Sequence, residues 1–463
     1  MQRPDPRRGP FIHRLAAGLV LGAILLAGTA AGHGGSLASG ARESIAIPLW
    51  LFLATGGGAV GASFLLASFV TDRLLVERLD DWRRAIPVPG ERIVVRAMQS
   101  LGLIGLGAVI VFGLVGPPEA IANVSVLLVW VGWWSGLAMV AYLVGNPWPA
   151  LNPWRTIAAV LPSLDRHYPD RLAAWPSVAG LLALVWVEVV SPLADDPRLL
   201  ALVAIGYTLL TIVGVVLFGA DVWFDRVDPV ARVFRAYGHV APLTRAPDGL
   251  SLRLPGVGLS RGVATDWSDV AFVVALVWTT TYDGMVATPL GDAIVVPLAE
   301  AGLPPVLVYA GGLLVGYALF LLAFWLAVRA SQRITSTRLS VRQLAILFAP
   351  PLLAIAAGYH LAHYLGYFLN LVPALVAAMT APMAAPASVP VLAIPGWFSG
   401  IALAAVVLGH LLAIWIAHTV AYHVFPGRLQ AIRSQYPLVI VMVVYTMVSL
   451  WIVTTPAIDP QYL

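Results

Sequence analysis

Apolar residues run along this chain in stretches of about 20, each long enough to cross a ~30 Å hydrocarbon layer as a helix, and short polar segments between them carry nearly all the charge. The stretches fall at roughly 46–71, 97–115, 123–144, 176–192, 199–220, 267–290, 303–328, 343–370, 396–422 and 436–455. The pattern predicts an all-α integral membrane protein with about ten transmembrane helices forming a single domain over 46–455, with the lipid bilayer as its first partner. Ahead of it, "MQRPDPRRGPFIHR" and the apolar "LAAGLVLGAILLAGTAAG" read as a signal peptide or signal anchor over 1–32, followed by a short extracytoplasmic leader over 33–45. Cleavage near Gly32 would place His33 at or close to a new N-terminus, an arrangement suited to Cu(II).

Composition agrees with the pattern. A chain that is 60% hydrophobic and 11% charged, with a mean hydropathy of +0.87, fits no soluble domain of 463 residues. All 27 basic residues are arginine, and they fix an orientation through the excess of cations in cytoplasmic loops. The segments 72–96, 145–175, 221–266 and 329–342 are Arg-rich and therefore cytoplasmic, whereas among the loops between spans only Arg198, and in the leader Arg42, fall outside. This predicts a multi-pass plasma-membrane protein with both mature termini extracytoplasmic. The net charge of +4 follows from that topology, so no nucleic acid partner is implied. The absence of cysteine removes disulfides, thiolate metal sites and iron–sulfur clusters.

No phosphate-cradling or dinucleotide fingerprint occurs. The longest cytoplasmic loop, 221–262, is rich in Arg, Pro and Gly and reads as irregular and too short for a catalytic domain. The Pro-rich outer segment 372–396 should break helix and could form a lid. The tandem Asn-Pro-Trp of "GNPWPALNPWRT" reads as interfacial anchoring, since Asn-Pro turns the chain and Trp prefers the headgroup level.

The chemistry concentrates in "GYHLAHYLGYFLN". At ~100° per residue His360, His363, Tyr364, Tyr367 and Asn370 share one arc of that helix, and a polar face in lipid must turn inward. A rise of ~1.5 Å per residue puts His360 at ~25 Å and Asp283 at ~24 Å from the cytoplasmic end of their spans, with His410 and Glu188 at ~18 Å. His418 lies ~12 Å along the helix from His410 and belongs to another layer. Thr279, Thr280, Thr281 and Tyr282 precede Asp283 and could hold its orientation or form a packing seam. His360, His363, His410 and Asp283 are thus candidate ligands of a divalent metal, zinc or manganese, with Asp283 also the candidate catalytic base. Three other readings stay open: haem b held by His360 and His410, a proton or cation relay of a transporter, and separate interhelical hydrogen bonds.

The ordered set "NPWRT", "YDG" with "TPL", "GYHLAHYL", "GH" with "AH", and "SQYPL" resembles the polytopic membrane proteins of actinobacteria and haloarchaea labelled fenitrothion hydrolase, over most of the chain. The positions that match are Asn152, Pro153, Trp154, Arg155, Asp283, Gly284, His360, His363, His410 and His418. The resemblance implies hydrolysis of a small apolar substrate, a neutral organophosphate triester, entering from lipid; it assigns no residue roles.

Overall fold

The computed structural model describes residues 49–455 except 248 and 387, together with Ile458 and Pro460. The signal segment, the leader and His33 lie outside these residues. Helix α1 (Leu49–Ser68) turns by 111° into the short amphipathic α2 (Arg73–Asp81). Strand β1 (Arg83–Ile86) precedes α3 (Glu91–Val115) and α4 (Val124–Leu143). The next helices are α5 (Trp175–Val190), α6 (Pro197–Phe218) and α7 (Pro229–Val240), followed by strands β2 (Leu243–Ala246) and β3 (Gly249–Arg253). Helix α8 (Trp267–Val286) bends by 78° into α9 (Pro289–Glu300); α10 (Pro305–Thr335), α11 (Val341–Phe348), α12 (Leu352–Thr380), α13 (Ser399–Val424) and α14 (Arg428–Thr454) complete the chain.

Among the described residues seven helices are long and apolar enough to cross a membrane, or nine if each bent pair is one span. The protein is an all-helical membrane protein apart from one small sheet. The expected span over 176–192 corresponds to α5, an apolar helix of 16 residues and the shortest of the candidates.

Two helices form the centre. In α8 nearly every residue from Ser268 to Tyr282 is buried, and α12 is buried from Leu352 to His360 without a break. Helices α12 and α13 touch backbone to backbone: a Cβ on Gly358 would sit 2.6 Å from the Ala405 carbonyl oxygen, and one on Gly409 2.7 Å from that of Ala354. Small residues at such a crossing let dispersion act over the whole contact, the main attraction available between helices in lipid. Helix α4 is wound as a π-helix over Leu128–Leu137, and Gly136 brings it against Phe368 of α12.

Two expectations need correction. The 221–262 segment is ordered: Asp228 caps the amphipathic α7 through the Ala231 N–H, and β2 and β3 form a hairpin that β1 joins in the order β1-β3-β2. Arg253 reaches from β3 to the carbonyls of Gly238, His239 and Ala241, satisfying the C-terminal end of α7. Likewise Pro373 does not end its helix, because α12 continues to Thr380. The chain beyond it folds back, with Asn370 Nδ2 donating to the Leu392 carbonyl and the Leu392 N–H to that of Asn370. Asn370 therefore secures a loop, although it shares the histidines' face.

Candidate functional site

Asp283 lies one turn from the end of α8, where the helix leaves its densest packing. The Tyr364 hydroxyl donates to Asp283 Oδ2 at 3.0 Å, and His363 Nε2 stands 3.6 Å from the same oxygen. Both partners come from α12, whose polar face the spacing of 360, 363, 364 and 367 predicts. Tyr359 stacks on His363 with rings 5.9 Å apart, and Gly284 leaves room for the Tyr359 hydroxyl, which any side chain there would strike. The threonines before Asp283 do not hold it: Thr279, Thr280 and Thr281 bond to carbonyls of Leu276 and Val277 in their own helix.

His360 packs against this centre at Tyr364, with ring centroids 4.6 Å apart. It is fully buried, shares a 3.0 Å hydrogen bond between Nδ1 and the Tyr142 hydroxyl, and leaves Nε2 without a partner among the described residues. Trp134 of the π-helical stretch packs edge-on against both His360 and Tyr364. His410 stands apart: its Nδ1 bonds the Val406 carbonyl one turn back in α13 at 2.8 Å. Depth alone grouped it with Asp283, but direction around the helix separates them. His418, which sequence depth set in another layer, is buried and bonds the Val70 carbonyl and Gln435.

These positions do not fit the expected metal. Among the described residues no group of three or more His, Cys, Asp or Glu side chains is arranged to hold a metal ion; the pair His363 and Asp283 falls short of the three protein ligands usual at a catalytic zinc. Haem fits no better. His360 and His410 lie two residues and one residue from the Gly358–Gly409 contact, where the backbones touch and no slot remains for a macrocycle between the helices.

A partly open cavity of about 480 Å³ reaches this centre between α3, α4, α5, α6, α7 and α8. Its wall is almost wholly apolar and includes Trp130, Trp133, Trp134, Trp148 and Trp154. The Asn-Pro-Trp repeat therefore supplies cavity wall, with Asn152 capping the short helix Pro153–Ala158 and Trp148 stacked on Phe234. The polar groups on the wall include Glu188, Thr279, Thr280, Asp283 and Tyr364. Glu188 lies within electrostatic range of Asp283 and lines the same cavity. Sequence depth placed Glu188 in the right layer, while Tyr364 was marked only by sharing the histidine face.

At the other end Tyr207 of α6, also on the cavity wall, donates at 2.9 Å to Asp228, which lies in no membrane-spanning helix. Burial pushes the Asp228 carboxyl up to about 6, against the hydrogen bonds from Ala231 and Tyr207 that favour its charged form. No known protein family, curated protein or solved structure matches this chain.

Proposed function

We propose that this chain is a ten-span membrane enzyme that admits a lipid-soluble neutral ester, such as an organophosphate triester, and hydrolyses it by general-base catalysis at Asp283. The observation that carries the reading is a carboxylate on the wall of an apolar cavity, held by Tyr364 and flanked by His363. Water would attack phosphorus while Asp283 takes its proton; the phosphorus–aryloxide bond breaks and the aryloxide leaves. Tyr364 positions the carboxylate and His363 receives the proton onward. A base placed in this way contributes ~10²–10⁴-fold. No step is routed through a metal, since the donor set lacks a third ligand. Turnover of a nitrophenyl phosphotriester by the purified protein, followed as nitrophenolate release, tests the reading: Asp283→Asn should lose ~100-fold or more, and unchanged turnover would overturn it.

One observation favours a second reading. Glu188 and Asp283 together on one cavity wall are what a proton relay in a coupled transporter requires. Proteoliposomes that acidify on addition of an apolar substrate, without product forming, would select it over hydrolysis.

A further inference from the structure

Glu188 is used by nothing in the fold. Its half-buried side chain lines the cavity from the last turn of α5, and it makes no hydrogen bond or ion pair among the described residues. A carboxylate away from water is costly unless a partner of opposite charge or a donor meets it. Among the described residues no Arg or His lines the cavity, so none of them supplies a cation to that wall, although Asp283 lines it too, within electrostatic range. Apart from Thr279, Thr280, Tyr207 and Tyr364 the rest of the wall is apolar, and it carries five tryptophans, the side chain whose ring attracts a cation most strongly. A volume of about 480 Å³ suits a small organic molecule.

We propose that the cavity binds lipophilic cations: molecules with an apolar, preferably aromatic body and a single ammonium-like charge, the charge seated at Glu188 and the body among the tryptophans. The same chemistry rejects anions, which would meet two carboxylates and no compensating base. An ester bearing such a charge would present its acyl or phosphoryl group toward Asp283. The ligand class goes beyond the hydrolytic reading, and binding is measured without turnover, so the two stand or fall separately.

The test compares ions of one shape and opposite charge on the purified full-length protein. Tetraphenylphosphonium and tetraphenylborate are each titrated by equilibrium dialysis in neutral detergent, with quenching of tryptophan fluorescence as a second readout. The wild type should bind the phosphonium at least tenfold more tightly than the borate, and Glu188→Gln should remove most of that preference while Glu188→Asp keeps it. Equal affinities for the two ions in the wild type, or a preference for the borate, would overturn the proposal whatever the variants do. A preference that survives Glu188→Gln would overturn the assignment to Glu188.

Discussion

Tyr364 decides how Asp283 behaves. Its hydroxyl is the short contact to the carboxylate, and removing it leaves a charged acceptor short of a donor in a water-poor place, which costs ~1–3 kcal/mol. Tyr364→Phe should therefore lower both the unfolding temperature and the rate of ester turnover. Asp283→Asn, which keeps the volume and an acceptor, should abolish turnover with a smaller loss of stability. Thermal unfolding measured alongside nitrophenolate release separates the two; equal stability of Tyr364→Phe and wild type would show that the hydroxyl contact is not made. Asp283 and His363 were legible in the sequence because ionisable residues are rare in apolar runs. His410 was equally conspicuous yet faces elsewhere, since rise per residue fixes depth and says nothing of azimuth.

Among the elements, the α12–α13 crossing depends on bare backbone. Gly358→Ala would press its methyl group against a carbonyl oxygen that cannot move independently, whereas Gly311 in α10 has open space around it. The first change should destabilise by ~1–3 kcal/mol and the second should be neutral or stabilising by ~0.5–1 kcal/mol, a contrast readable in unfolding temperatures. Helix α7 carries a pH response. Its N-cap Asp228 and its last-turn His239 both sit where the helix dipole favours their charged forms by ~0.3–1 kcal/mol. Burial outweighs that, pushing Asp228 up to about 6 and His239 down to about 4, the latter helped by the nearby charges of Arg253 and Arg235. Asp228 is protonated more readily folded than unfolded, so its ~3 kcal/mol of stabilisation is present below pH ~4 and lost as pH rises through ~6. His239 holds a proton less readily folded, so its share is present above its unfolded value of 6.5 and lost as pH falls towards about 4. Between pH 4 and 6 the slopes oppose each other. Asp228→Asn should make the protein lose stability on acidification over that window, and His239→Gln should make it gain; denaturation midpoints at three pH values check both signs, and parallel slopes would refute the pairing.

For the whole molecule, the long apolar runs made the membrane class plain, and the pattern of arginines predicts an orientation that a reporter fused after residue 245 can check: it should be cytoplasmic. Less legible were features built by tertiary contact. The β2–β3 hairpin was signalled by Asp248–Gly249 between alternating Leu and polar residues, but β1 is distant in sequence and only the fold pairs it. Pro373 stayed helical because neighbouring helices hold α12 past it. The cavity was invisible because its five tryptophans come from three separate segments and its carboxylates from two more helices. Those carboxylates carry the central claim, that Asp283 works as a base without a metal. The direct measurement is turnover of a neutral nitrophenyl phosphotriester by the purified protein before and after exhaustive chelation, with Asp283→Asn alongside. The account predicts that the wild-type rate survives chelation and that the variant is inactive in both states. Loss of the wild-type rate on chelation, restored by zinc or manganese, would contradict it.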